Sequence, residues 1–247
     1  MFDANKETEL IINFIRDYYK KNNLGGVVIG ISGGKDSAVV AGLFCKAIGS
    51  ENVIGVTMPC HSNNEDMADA KLVADHFGFE LINVDLTKTF DSFKENFSVN
   101  EDLLIDSDIN FKPRLRMSTL YYLAAMYSKI KKSTYIVAGT SNKSELFVGY
   151  FTKGGDSVCD IKVINDLTVS EVIKVGEVIG VPEKVLYKTP SDGLSGKSDE
   201  DKLGVTYSDI EKYIYGYELE SNVKERIEYL HNSSAHKFNI TEYKRCD

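Results

Sequence analysis

A chain of 247 residues, 43% hydrophobic and 27% charged, has the balance of an ordinary soluble globular protein and the length for one α/β domain or two small ones. Its formal charge of −8 at pH 7 argues against a nucleic-acid groove or an anionic membrane surface as the main partner, although local lysines and arginines can still hold a small anion. Cys45, Cys60, Cys159 and Cys246 stand far apart with no C-x-x-C pair, which offers neither a zinc knuckle nor a disulfide framework.

Leu10, Ile11, Phe14, Ile15 and Tyr18 fall at helical spacing and predict a covering helix over residues 4–22. The β-branched run at 26–31 predicts the first strand, and 35–48 the helix after it, with Gly49 as its stop. A second strand is expected over 52–58, closed by Pro59, and a helix over 64–77 capped by the Ser62-Asn63-Asn64 stretch. Residues 81–84 predict a short third strand. Phe90, Phe93 and Phe97 are spaced as one helix face within the polar segment 86–110. A long helix follows over 110–130 with Pro113 in its first turn, where its missing N–H costs little. Residues 135–138 predict the fourth strand, 149–166 a glycine-containing loop, and 168–179 another helix. Pro182 opens a short helical turn, 187–204 reads as a long polar loop, and helices at about 207–216 and 220–232 end the chain. The alternation β-α-β-α-β predicts a single-domain doubly wound parallel sheet spanning 1–247, with helices on both faces and a ligand at the carboxyl ends of the strands.

Two junctions carry the chemistry. At the first, strand passes into helix through Gly30-Ile31-Ser32-Gly33-Gly34-Lys35-Asp36-Ser37. Small residues let backbone N–H groups approach an anion, the helix N-terminus adds partial positive charge, and Lys35 adds a formal one. The spacing is neither a Walker A loop nor a G-x-G-x-x-G fingerprint. A plain corner has no need of two serines, a lysine and an aspartate. At the second junction the fourth strand ends in Gly139, then Thr140, then a helix start that reaches Glu145. The segment 57–66, at the end of the second strand, is expected beside the first loop and is the candidate adenine and ribose side.

The run Ser32-Gly33-Gly34-Lys35-Asp36-Ser37 resembles the pyrophosphate loop of the N-type ATP pyrophosphatases, with an adenine nucleotide alpha-hydrolase-like fold. Together with Gly139 to Asp156, Arg114-Leu115-Arg116-Met117, Ser191-Asp192-Gly193-Leu194, Leu203 to Tyr207 and His236-Lys237, it is similar to the ammonia-dependent NAD synthetases over roughly 5–240. The resemblance implies ATP-dependent amidation of deamido-NAD through a nicotinyl adenylate, with AMP and pyrophosphate released. It implies a catalytic set of Lys35, Asp36, Thr140 and Glu145, with Mg²⁺ on Asp36 and Glu145. ATP would be held by Gly30, Ile31, Ser32, Gly33, Gly34, Lys35, Asp36, Ser37, Thr140 and Ser191, and deamido-NAD by Arg114, Lys153, Asp160, His236 and Lys237. It also implies a homodimer, with the helix at 110–130 as an interface element, and no nucleic-acid or membrane partner. The polar N-terminus and the lack of a ~20-residue apolar run give a cytoplasmic expectation. Val169 stands where the family commonly has an ATP-contacting lysine; Lys162, Lys174, Lys188 or Lys197 are its possible substitutes. A relative with another acceptor, such as a thiolating enzyme, would want a cysteine pair and a basic surface. A non-enzymatic adenine-nucleotide sensor would bind ATP without releasing pyrophosphate.

Overall fold

The computed structural model describes residues 2–61, 64–97, 105–188 and 198–245. Five strands, β1 (Leu24–Gly30), β2 (Val53–Thr57), β3 (Glu80–Asn83), β4 (Thr134–Gly139) and β5 (Ile161–Lys162), form one sheet in the order β3-β2-β1-β4-β5. Every pairing is parallel, with Val27 opposite Val53 on one side and Ile136 on the other. The chain winds outward from β1 to β3, then returns to lay β4 on the opposite side of β1. That reversal opens a crevice at the carboxyl ends of β1 and β4, where open α/β sheets bind ligands.

Helices cover both faces, so the central strands are buried on both sides and read as near-continuous apolar runs. On one face α1 (Ala4–Asn22), α2 (Lys35–Ile48), α3 (Asn64–Phe77) and α7 (Val169–Ile179) pack with Val27, Ile29 and Val53. On the other, α4 (Thr87–Lys94) and α5 (Ile105–Lys131) pack with Val28, Ile54, Val56 and Val137. The first loop leads into α2, whose Val39, Val40, Leu43 and Phe44 are wholly buried. Each such side chain contributes about 1.5–3 kcal/mol, so the loop sits on a rigid base. A third cluster joins α6 (Lys143–Phe147), α8 (Glu183–Leu186) aside, to α9 (Asp199–Leu203), α10 (Tyr207–Ile214) and α11 (Ser221–Ser234) through Val148, Leu203, Tyr207, Ile210 and Ile227.

Three expectations need correction. The long helix starts at Ile105 rather than 110, with Asp106 and Asp108 in a first turn that favours acids. Asp108 is also fastened to Lys94 at 2.9 Å. Pro113 is therefore interior, and the helix tolerates a missing N–H there. The segment 149–166 holds the short strand β5, and the end of the polar 187–204 loop holds α9, started by a Ser198–Asp201 capping box. Both are too short to show a period. Ser62, Asn63, Ser191, Lys197 and Cys246 lie outside the described residues, as does half of the 187–204 loop.

Asp69 on α3 is wholly buried, with Lys184 Nζ 2.6 Å from Oδ1 and Lys188 Nζ 2.6 Å from Oδ2. Lys188 also reaches Asp66 Oδ1 at 2.9 Å. Burial raises the Asp69 pKa, but the two lysines outweigh it and hold the group below the ordinary carboxylate value. Such a group stabilises the fold above its unfolded pKa, and that stability is lost as pH falls through the depressed folded value. Asp69→Asn is expected to cost about 2 kcal/mol at neutral pH, less than a fully enclosed pair because Lys184 is exposed. Denaturant titrations of the two proteins should converge below about pH 4; a pH-independent gap would rule out the charge as its source.

Candidate active site

The first loop continues straight off β1: the Ile31 N–H donates to the Val56 carbonyl at 2.9 Å. Its shape is then set by its own serines. The Ser37 hydroxyl donates to the Gly34 carbonyl (3.0 Å) and accepts from the Ser32 N–H (3.2 Å), while the Ser32 hydroxyl accepts from the Gly34 N–H (3.2 Å). Gly34 is the cap residue of α2 and supplies no side-chain cap, which leaves the first-turn N–H groups for a ligand. The segment after β2 does lie beside this loop. Gly33 adopts φ +80° against the backbone of Asp66.

Thr140, at the end of β4, does not cap the helix that follows. Asn142 caps α6: its side chain accepts from the Glu145 N–H, and Glu145 Oε2 accepts from the Asn142 N–H, both at 3.0 Å. The Thr140 hydroxyl has no partner among the described residues. Asn142 Nδ2 also donates to Asp36 Oδ1 at 3.0 Å, tying the end of β4 to the start of α2. The second Asp36 oxygen lies 3.3 Å from Lys35 Nζ, and Lys35 is itself buried. Burial and the neighbouring Asp36 both push the Glu145 carboxyl well above the usual carboxylate range. The crevice thus concentrates two acids against one lysine. That pair suits a hard divalent cation that takes its remaining ligands from phosphate oxygens and water. Among the described residues no larger His/Cys/Asp/Glu group offers a metal site.

Beside this crevice is a cleft of about 470 Å³ lined by Asp106, Asn110, Arg114, Lys153, His236 and Lys237. Arg114 Nε and Nη2 donate to the Lys153 carbonyl at 3.3 and 3.2 Å. Lys153 Nζ donates to the carbonyls of His236 (2.7 Å) and Asn239 (3.0 Å), and Lys237 Nζ to those of Gly149 (2.8 Å) and Phe151 (3.0 Å). The two lysines therefore clasp each other's segments. His236 contributes an exposed ring whose Nδ1 lies 3.0 Å from the Ser233 carbonyl.

Four of the five residues expected around the second nucleotide meet in this cleft, although they span more than half the chain. Asp160 is placed elsewhere: its Oδ2 accepts from the Val137 N–H at 2.8 Å, and its Oδ1 from the Tyr121 hydroxyl at 3.2 Å. It finishes the edge of β4. Val169 packs into the third apolar cluster. Of its possible substitutes, Lys188 is engaged by Asp66 and Asp69, whereas Lys162 lies over Gly139, its Cγ 3.3 Å from where a Cβ there would be.

Arg116 stands in the Arg114-Leu115-Arg116-Met117 motif but outside the set expected around deamido-NAD. Its Nε donates to the Met58 carbonyl at 3.1 Å at the end of β2, and its terminal nitrogens have no partner among the described residues. Burial lowers its pKa, with Cys60, Asp156 and Asp66 opposing. On a helix the Arg114-x-Arg116 spacing points the two side chains in different directions, and with α5 starting at Ile105 neither lies in its first turn.

Comparison with known proteins matches residues 7–245 to the NAD synthase family model. The NH(3)-dependent NAD(+) synthetase of Carboxydothermus hydrogenoformans is 40% identical over 241 residues, 96% of each chain. Among solved structures, the NMN synthetase of Francisella tularensis superposes with a TM-score of 0.88 at 32% identity over 100% of both chains. The NH3-dependent NAD synthetase of Campylobacter jejuni does so with 0.78 at 30% identity, covering 99% of this chain and 100% of that one.

Proposed function

Because the chain belongs to the NAD synthase family, we propose that its two adjacent sites bind ATP and a nicotinate nucleotide for one reaction. The protein is an ammonia-dependent NAD synthetase, a ligase that makes an amide C–N bond at the expense of ATP. A nicotinate carboxylate oxygen of deamido-NAD attacks the α-phosphorus, and the bond to the β-phosphate oxygen breaks. Ammonia then attacks the acyl carbon, the bond to AMP breaks, and the nitrogen loses a proton. The single observation that supports this assignment of sites is the Asn142 bridge, which brings Asp36 and Glu145 to one point between the phosphate loop and the end of β4.

In this reading the α2 N-terminus and Lys35 hold the β- and γ-phosphates, and Thr140 donates its unpartnered hydroxyl to ATP. Asp36 and Glu145 hold Mg²⁺, which when bound neutralises phosphate charge. Lys162 supplies the cation that Val169 does not. Arg114, Lys153, His236 and Lys237 orient the nicotinate substrate, and Arg116 faces the phosphates from the end of β2. We place the homodimer contact on α5, where Ile105, Ile109, Tyr122 and Ile130 stay exposed.

A second reading of the acceptor rests on the superposition with an NMN synthetase. There the acid would be the mononucleotide. Pyrophosphate release from ATP, Mg²⁺ and ammonium is expected only when deamido-NAD is present, with one NAD formed per pyrophosphate. A higher kcat/KM with nicotinate mononucleotide would favour the second acceptor. Release without either acid would overturn both.

A further inference from the structure

Tyr207 begins α10, at the edge of the third apolar cluster. Its backbone is firmly placed: the N–H donates to Glu200 Oε1 at 2.8 Å, and Thr206 before it accepts from the Asp209 N–H at 3.1 Å. The residue is 5% exposed, and its hydroxyl is buried without a hydrogen-bond partner among the described residues. A buried polar group left alone in this way destabilises the fold unless something else satisfies it. The ring lies over the catalytic crevice, with Lys35 Nζ 6.0 Å from its centre. Burial, then Glu145, Asp199, Asp36 and Tyr150, push its pKa up, so the phenol stays a proton donor at any working pH.

A donor with no acceptor, roofed over a lysine and the N-terminus of α2, is matched by an anionic oxygen. The nearby carboxylates are already bonded elsewhere, Asp199 accepting from the Tyr150 hydroxyl at 2.9 Å. Asp36 is bonded to Asn142 and Lys35, and Glu145 to the Asn142 N–H. We propose that the Tyr207 hydroxyl is a nucleotide-binding group that donates a hydrogen bond to an oxygen of the β- or γ-phosphate of ATP. This rests on the reading of residues 30–37 as the ATP phosphate loop. It also gives α9 and α10 a purpose beyond packing: they carry a donor to the face of the phosphates opposite the loop.

Tyr207→Phe removes the hydroxyl and keeps the ring, so the third cluster stays filled. Without nucleotide, the variant should melt at the same temperature as the parent or higher, because an unsatisfied buried group has gone. Its affinity for ATP with Mg²⁺ should fall about 10- to 100-fold, the effect of losing one hydrogen bond to a charged group. Affinity for AMP, which lacks the β- and γ-phosphates, should be unchanged, as should the KM for deamido-NAD. If the parent gains no thermal stability from ATP, the phosphate-loop reading fails. If the parent gains it and Tyr207→Phe gains it equally, that reading stands and the assignment of Tyr207 fails. A variant that melts lower and binds ATP normally would show that the hydroxyl serves a buried water instead.

Discussion

Asp36→Asn and Glu145→Gln are each expected to lower turnover by about 10³-fold or more while leaving the melting temperature within a few degrees of the parent. Both changes keep shape. Asn at 36 can still accept from Asn142 Nδ2, and Gln at 145 retains the acceptor that a capping box requires. What disappears is charge at the point where the two junctions meet. A divalent ion stabilises developing phosphate charge by several kcal/mol, and about 4 kcal/mol is a factor of about 10³ in rate. Because the amide variants keep the bonds to Asn142, losing either carboxylate should weaken Mg²⁺ retention rather than the fold. Calorimetry of Mg²⁺ with ATP on each variant checks this. Near-parental turnover in either would remove that carboxylate from the metal.

The second large effect is expected at Gly33→Ala, with Gly34→Ala as its control. Gly33 holds φ +80°, and a Cβ there would lie 2.4 Å from the Asp66 carbonyl oxygen. Alanine in that backbone region costs about 1–2 kcal/mol, and the contact forces either the loop or the start of α3 to move. Both consequences fall on the phosphate loop, so stability and ATP affinity should drop together, the latter by about 10²-fold or more if the N–H groups shift by even 1 Å. Gly34 sits at φ −100°, and a Cβ there meets only Ser32 Oγ at 3.3 Å. Gly34→Ala should therefore melt normally. Equal melting temperatures for the two variants would show that the positive φ is not the constraint.

The elements with strong periodicity and clear stops were legible in the residues: α2, α3 and α7 fall where the apolar spacing and the flanking glycines put them. So was the parallel direction of the pairing, since β-α-β order dictates it, whereas the return of β4 to the side of β1 was read only from the structure. Less legible were features that depend on partners remote in sequence. β5 is two residues of strand, sustained by a neighbour rather than by its own pattern. The true start of α5 depends on acids that assist an N-terminus and on Lys94, not on its apolar stripe. In the crevice, Lys35, Asp36, Thr140 and Glu145 could be named from the motifs. Asn142 could not: its importance comes from bonding Asp36 across 106 positions. Asp160 shows the reverse, a residue that matches a motif and whose carboxylate is occupied by the edge of β4. Tyr207 could be quoted as part of a motif but had no role to assign, because an unpartnered hydroxyl is a property of the folded environment.

The cations of the large cleft are secured in a particular way. Arg114, Lys153 and Lys237 all bond main-chain carbonyls, and among the described residues none has a carboxylate within ion-pair distance. A carbonyl dipole fixes an ammonium in place without cancelling its charge. The cleft therefore gathers three cations against the single acid Asp106, on a chain whose formal charge is −8. Field lines converge in such a concavity and raise the local concentration of anions. In the reading proposed above, a nucleotide approaching by diffusion is drawn toward these cations. The lysines that splice the C-terminal segment to the 149–153 loop thus keep, at no extra structural cost, a charge that an anion could use.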